Sequence, residues 1–426
     1  MNQRVLIVGG GLGGLALALG FRLALRAIQF HVFEIDLKCH HRAQGYRIRI
    51  SPDGAEALRK LLSDAQWKTF EASCATMKHG GTKIDAETGE AQEWVTSRAP
   101  SRSETNKAYN ADRAVLRDIL LSGLTEQHIS YGKRFVGYDI ESDGTVQAHF
   151  TDGSTERGGL LIGADGIRSD VRRLLLPDLA VLDTETRAIF GKTPTTSQTQ
   201  RRYPEQIANG ICLISQPGNS KVKLFCDIMT WDAFKAAELP VPVTVPPEYV
   251  YWVFCFRNDA LGEQFSHRYT VNAIDAMKGD LSLETIQQLA ADWSKNILGI
   301  MDDVSPNLLS TLNFLTTSEA SFSREWERLR QWRAAGNPYP VTLLGDAAHP
   351  TPPLGGVGAN AAFQEAFDLC QMLMEENNVS SGLTEAAAAY EALMLLRAKP
   401  VLLRHESGAG SLLGIKPFDQ LKLAPI

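Results

Sequence analysis

Three glycines at GxGxxG spacing, Gly9, Gly11 and Gly14, and one acid, Glu34, are the first residues whose types and spacing imply chemistry. Gly9 allows a tight turn. Gly11 lacks a Cβ, so a pyrophosphate can approach the backbone, and Gly14 lets a helix and a strand pack closely. A helix N-terminus behind such a loop directs free N–H groups and partial positive charge at phosphates. Glu34 falls about 20 residues after Gly14, the spacing at which a carboxylate accepts hydrogen bonds from an adenosine ribose. That carboxylate also disfavours a 2′-phosphate in the same pocket. The elements that must position this set are legible around it. Arg4 to Val8 reads as a buried strand, the Ala/Leu segment to about Arg26 as a helix, and Phe30 to Phe33 as the next strand.

Two further constellations carry the same logic. Leu160 to Ile162 is an apolar strand that runs into Gly163-Ala164-Asp165-Gly166, followed by Ser169 and a helix holding Arg172 and Arg173. Val341 to Leu344 is another apolar strand. It runs into Gly345-Asp346-Ala347-Ala348-His349-Pro350, a Pro/Gly-rich loop, and a helix opening at Gly358-Ala359-Asn360 and ending near Met374. An acid at a strand end beside a glycine-flanked helix start describes a ligand site at the carboxyl edge of a sheet. His349 is read as a loop residue satisfying backbone rather than as a base. Arg42, Gly45, Tyr46 and Arg47 form a loop leading into alternating Arg47-Ile48-Arg49-Ile50, where an arginine reaches either a phosphate or solvent. Arg113 opens the helix Ala114 to Gly123, with Arg117 one turn on. A cation there opposes the helix dipole and needs an anion, either a cofactor phosphate or a surface carboxylate. His40 and His41 are adjacent and have no further ligand at metal-binding spacing, so no metal site is expected.

Composition narrows the class. The 426 residues exceed the roughly 250–300 at which single cores stop growing, so two domains are expected. A net charge of −6 argues against a non-specific nucleic-acid binder. No uninterrupted apolar run is long enough for a membrane span. The apolar N-terminal run holds the glycine fingerprint and is therefore not read as a cleaved signal. The six cysteines show no CxxC pair and fit free thiols in a reducing, cytoplasmic setting.

Between the second and third constellations the pattern changes. Ala188 to Gly191, Ile211 to Ser215, Lys221 to Met229 and Tyr249 to Arg257 are strand candidates, with a hairpin turn at Pro217-Gly218-Asn219 and one helix over Leu283 to Leu298. Phe135 to Ile140 and Val146 to Phe150 read as a hairpin. Cys74 to Asn110 is polar and irregular, with strand pieces near Glu93 to Val95. A helix spans about Glu385 to Leu403, Ser407-Gly408-Ala409-Gly410 reads as a turn, and the tail from Leu412 is mildly apolar. The expected division is a discontinuous nucleotide-binding domain (1–75, 110–181, 338–404), a mainly antiparallel substrate domain (76–109, 182–337) and a C-terminal tail (405–426). Tyr251 and Trp252 are read as core packing, with pocket lining as the other possibility.

GxGxxG with Glu34, then Gly163-Ala164-Asp165-Gly166, then Gly345-Asp346, in that order along nearly the whole chain, resembles the single-component FAD-dependent aromatic hydroxylases of the para-hydroxybenzoate hydroxylase and salicylate hydroxylase type. The resemblance implies an α/β fold: a Rossmann-like FAD-binding domain with a second, mainly antiparallel β substrate domain. It implies that Gly9, Gly11, Gly14 and Glu34 hold the ADP half of FAD, and that Gly45, Arg47 and Arg113 lie along the cofactor. Asp165 would serve FAD and the nicotinamide cofactor together. Asp346 would bind the ribityl and pyrophosphate region, and Gly358, Ala359 and Asn360 the flavin ring. It implies a monooxygenase that uses NAD(P)H and O2 to hydroxylate or epoxidise an aromatic or polycyclic small molecule of secondary metabolism, through a flavin C4a-hydroperoxide. The alternative is an FAD-dependent oxidase or dehydrogenase without oxygen insertion. A binding protein that has lost turnover is disfavoured by the three intact motifs, and a halogenase by the lack of a WxWxIP-like run. The chain departs from the common pattern at Ile35, where many relatives carry arginine, at Glu365, where aspartate is frequent, and at Phe190-Gly191, where several show Arg-Gly.

Overall fold

The computed structural model describes residues 4–24, 28–37, 46–78, 80–93, 107–232, 239–302, 304–337, 339–353, 356–374 and 382–425. A five-stranded, all-parallel sheet has the order Val341–Leu343, Leu160–Gly163, Val5–Val8, Phe30–Glu34, Ile129–Tyr131. Parallel sheets are covered on both faces, so their strands read as unbroken apolar runs. Val5, Leu6, Ile7, Leu160, Leu161 and Ile162 are accordingly all inaccessible to solvent. One face carries the helix Leu12–Leu23, against which the helix Gly358–Met374 packs; a Cβ at Gly20 would come within 3.0 Å of Cys370 Sγ. The other face is covered by a three-stranded antiparallel sheet (Phe135–Ile140, Val146–Phe150, Thr155–Gly158), where the rings of Phe33 and Phe150 lie 4.7 Å apart.

The second large element is an eight-stranded sheet, antiparallel except where Gly210–Ser215 runs parallel to Gly80–Asp85. Its long members are Leu182–Pro194, Val222–Met229 and Tyr249–Arg257. One face buries Trp252, Phe254 and Phe256 in a separate core with Ile286 and Trp293. Trp252 is thus core, its indole N–H donating to Thr193 Oγ1 at 3.0 Å. The architecture is the α/β arrangement expected from the sequence, a Rossmann-like unit joined to a mainly antiparallel sheet.

A short antiparallel ribbon, Arg47–Ile50 with Tyr109–Asp112, joins the two sheets. Side chains alternate across a strand, and this ribbon uses both faces differently. Ile48, Ile50, Tyr109 and Ala111 enter the core of the parallel sheet. From the opposite face Arg47 pairs with Asp227 at 2.8 Å, and Asp112 accepts from Lys192 Nζ at 2.6 Å and Tyr249 Oη at 2.8 Å. Asp227, Tyr251 and Lys192 are register partners on three adjacent strands of the large sheet, so the two ion pairs of opposite polarity bracket Tyr251. Tyr251 also stands in an aromatic group with Tyr46 and Phe190, the latter two stacked at 4.4 Å.

Several local expectations are corrected. Residues 407–410 do not turn: the helix Leu383–Leu413 continues through them and stops at Gly414, which has a left-handed φ of 62°. Leu413, Ile415 and Phe418 bury against the large sheet, and this anchor carries the helix past its glycines. The single helix over Leu283 to Leu298 is two, Gly279–Leu289 and Lys295–Leu298; the break seats Trp293 against Phe254 at 5.6 Å. Helices Asp64–Ser73 and Glu319–Ala334 occupy polar, charged stretches that gave no clear signal.

Gly9 has φ 110°, and a Cβ there would lie 2.3 Å from the Ala164 carbonyl oxygen. The first loop can therefore meet the Ala164 turn only without a side chain. Gly9→Ala combines a disallowed φ with a backbone clash and should destabilise the flavin-free protein by about 1–3 kcal/mol or more, measured as a lowered urea midpoint.

Candidate FAD-binding site

The parallel register places the expected residues at one edge. Val8 is opposite both Phe33 and Gly163, and Gly163 is opposite Leu343. The turns that follow, with Gly9, Glu34, Asp165 and Asp346, therefore emerge side by side at the carboxyl ends of four adjacent strands. The chain changes direction across the sheet beside Val5–Val8, where α/β sheets bind ligands.

The helix Leu12–Leu23 begins at Gly11, has no side-chain cap and no acid in its first turn. Its leading N–H groups are free to take an anion. Gly14 is required by the protein itself, since a Cβ would lie 2.2 Å from the Gly9 carbonyl oxygen. Gly11 is different: φ is −74° and a Cβ would meet nothing within 4 Å. No described protein atom demands a glycine there, so the space in front of it is left for a ligand. Glu34 is 6% exposed and accepts from the N–H of Gly10 at 2.7 Å and of Asp36 at 2.8 Å. These two bonds fix the carboxylate beside the glycine loop while leaving it acceptor capacity.

Asp165 has a divided carboxyl. Oδ2 accepts from the N–H groups of Asp170 and Val171 at 2.8 and 3.3 Å, capping the helix Asp170–Leu175, whereas Oδ1 is buried with no partner among the described residues. Asp346 likewise has a buried, unpartnered Oδ1, which would lie 3.5 Å from a Cβ on Gly358. Burial pushes both carboxyls up. At Asp346 His349, Arg172 and Arg113 act in the opposite sense, which places Arg113 in the same electrostatic group. Arg172, 2% exposed, straps the two turns together: it donates to the carbonyls of Ile167 at 2.6 Å and of Asp346 and Ala347 at 3.2 Å. Burial pushes its guanidinium down to about 10, against the pull of Asp165 and Asp346. Orphaned buried acceptors are uncommon in native structures and call for a partner.

The opening of the helix Gly358–Met374 sits beside Asp346, but the Asn360 side chain is committed to protein. Its Oδ1 accepts from Ser51 N at 2.8 Å and its Nδ2 donates to the carbonyls of Arg49 and Gly356 at 2.8 and 2.6 Å. Asn360 thus fixes the helix start to the ribbon, leaving backbone N–H groups of Gly358 and Ala359 as the groups at that end. Arg47 points to Asp227 rather than along the glycine loop, with its Nε buried and without a partner among the described residues. Gly45 lies outside the described residues, as do His40, His41 and Arg42. No cluster among the described residues could hold a metal ion.

The structure adds residues that sequence reasoning left aside. Beyond any backbone role, the His349 ring has a side-chain partner: Nε2 donates to Glu365 Oε1 at 2.5 Å, and both side chains are buried. Glu365 Oε2 accepts from Gly345 N at 2.7 Å. The only sequence signal was Glu365 itself, noted as a departure.

Residues 317–399 match the model of an FAD binding domain. A dual O-methyltransferase/FAD-dependent monooxygenase, CTB3, of Cercospora beticola is 32% identical over 97% of this chain. Over nearly all of its length the chain is similar to FAD-dependent monooxygenases. It spans about half, 47%, of the length of that Cercospora relative. The FAD-dependent monooxygenase vrtH of Penicillium aethiopicum is 25% identical over 89% of this chain and 86% of its own length. Among solved structures, Klebsiella pneumoniae HpxO complexed with FAD and uric acid has a TM-score of 0.70 at 19% identity, over 97% of this chain and 89% of that one. At that identity the likeness establishes the fold. No helix of the described residues is long and apolar enough to cross a membrane.

If Asp165 is chiefly a helix cap with one spare oxygen, Asp165→Ala should cost about 0.5–2 kcal/mol of stability even without cofactor. Asp165→Asn, which keeps one acceptor, should lose less; chemical denaturation of flavin-free protein measures both.

Proposed function

We propose that this chain is an FAD-dependent monooxygenase that uses NAD(P)H and O2 to hydroxylate or epoxidise an aromatic or polycyclic small molecule, in secondary metabolism. The observation that carries the reading is the pairing at one sheet edge of an open glycine with two buried acceptors that lack donors among the described residues. The space before Gly11 fits a pyrophosphate, and the free Oδ1 atoms of Asp346 and Asp165 fit cofactor hydroxyls. The fungal relatives, whose names include FAD-dependent monooxygenases, support the activity.

Bound FAD supplies the redox chemistry, accepting hydride and activating oxygen. The remaining work falls to the chain's own groups. Glycine-loop N–H groups and the dipole of Leu12–Leu23 take the phosphates, while Glu34 takes the adenosine ribose. Asp346 accepts from the ribityl chain. The N–H groups of Gly358 and Ala359, with the positive end of their helix, favour negative charge on the ring by about 0.3–1 kcal/mol, rising to about 2 when partly buried. Tyr46 and Tyr251, half-buried beside the buried Phe190 on one face of the large sheet, offer aromatic surface on which a planar substrate can stack. Stacked rings beside that edge also exclude water, which protects a reactive oxygen from wasteful breakdown.

Purified protein should be yellow and should bind FAD. Asp346→Ala should weaken flavin affinity by about tenfold to a hundredfold, as expected for loss of a hydrogen bond worth about 1.5–3 kcal/mol. Gly11→Ala should leave the flavin-free melting temperature unchanged yet bind FAD at least about tenfold more weakly. Flavin fluorescence titration reads both. Full-affinity binding by both variants would reject the site. With labelled O2, a product heavier by one oxygen atom supports the monooxygenase; loss of two hydrogens without label would identify an oxidase.

A further inference from the structure

Beneath the proposed flavin site lies a closed polar knot. Glu365 reaches up from the helix Gly358–Met374 and divides its oxygens between the Gly345 N–H and the His349 ring. The His349 N–H donates back to the Gly345 carbonyl at 3.0 Å, closing the turn that displays Asp346. Gly345 holds φ 65°, so the turn depends on this clamp as well as on its own backbone. From the long C-terminal helix, Tyr390 Oη donates to the Leu343 carbonyl at 2.9 Å and lies 3.5 Å from Glu365 Oε2. One carboxylate thereby ties together the strand end, the turn, the loop and the flavin-side helix. An aspartate here would be one methylene shorter, about 1.5 Å of reach, and could not keep both bonds without movement of the helix.

We propose that His349 and Glu365 are a positioning pair, holding the Asp346 turn for the cofactor and making flavin retention depend on the imidazole proton. The inference rests on Asp346 being the flavin-side acceptor. The charges facing the imidazole come from every element around it. Glu365 faces it from the helix and Asp346 from its own turn, while Arg172 and, more weakly, Arg113 offset Asp346. Arg397 acts on Glu365 from the C-terminal helix. Burial alone would push the imidazole down, but Glu365 and then Asp346 push it up by more, and the net direction is upward. Protonated His349 with Arg172 balances the two carboxylates. Loss of that proton removes a buried positive charge from between Glu365 and Asp346, beside a cofactor that is itself a dianion at its pyrophosphate.

The sign follows from linkage. A histidine raised in the folded state contributes stability that is complete below its unfolded value, about 6.5, and lost as pH rises through the raised value. Flavin affinity should follow the same course. The test is FAD titration of wild type, His349→Gln and Glu365→Gln across about pH 5 to 8 and above, with NMR of the His349 ring in flavin-free protein. Wild type should weaken by about fivefold or more across the titration. His349→Gln, which can still donate to Glu365 but carries no charge, should give a flat profile at the weaker level. In flavin-free Glu365→Gln, His349 should titrate at lower pH than in wild type. A pH-independent wild type, a wild-type slope in His349→Gln, or an imidazole unmoved by Glu365→Gln would each overturn the proposal. The ring titration needs no cofactor and stands if either variant binds none. Asp346→Asn separates the two levels: wild-type affinity there removes the reading of Asp346, whereas weakened binding with an unchanged His349→Gln slope removes only the pair.

Discussion

The structure turns on the close approach of two strand-end loops. Gly9 must pack directly against the Ala164 turn because adjacent parallel strands lie only about 4.8 Å apart, and both segments leave their strands at the same level. A side chain at Gly9 would force the loops apart. The consequences run outward from there. Gly14 lets the first helix fall back onto the loop, the helix N-terminus is thereby aimed at the crevice, and Glu34 is brought onto the Gly10 amide.

The third loop is held to this pair from below rather than from the side. Arg172 ties the Asp346 and Ala347 carbonyls to Ile167, and Glu365 fixes Gly345. Arg172 is far in sequence from Asp346 and Ala347, and Glu365 is on the helix that follows Gly345. Arg172 lies on the helix Asp170–Leu175 against the sheet and Glu365 on the helix Gly358–Met374 packed on Leu12–Leu23, and from there both side chains reach the carboxyl edge. The result is a crevice floored by backbone amides with two carboxylate oxygens unmatched among the described residues. Leaving a buried acceptor unpaired costs about 1–3 kcal/mol, which a ligand supplying a donor recovers.

The junction between the sheets is held by charge as much as by apolar packing. The ribbon Arg47–Ile50 and Tyr109–Asp112 contributes Arg47 and Asp112, and the large sheet answers with Asp227 and Lys192. The opposite polarities fix the register, since sliding the ribbon by one residue would turn these groups into the apolar core. Asp112 also caps the helix beginning at Arg113, accepting from Ala114 N at 2.9 Å. That cap answers the anion expected for a helix opened by an arginine, and Asp346 supplies a second.

What the sequence determined by itself was the set of strand-end loops, because each announces itself locally: an apolar run, then glycines or an acid, then a helical period. The strands Val5–Val8, Leu160–Gly163 and Val341–Leu343 and the helix starts after them follow from residue type and spacing alone. The alternation Arg47-Ile48-Arg49-Ile50 likewise marked a strand with two unlike faces. Tertiary structure alone decided where the charged groups point. Arg47 could reach phosphate or solvent by sequence, and only the position of Asp227, far along the chain, turned it to the sheet. Asn360 became a clamp because Ser51 and Arg49 arrive beside it. His349 found Glu365 one helix away, and the glycine-bearing stretch 407–410 stayed helical because Leu413 beyond it had a core to enter. A long polar side chain takes its direction from whichever partner the fold delivers within hydrogen-bond reach, and that partner carries no mark in the neighbouring sequence.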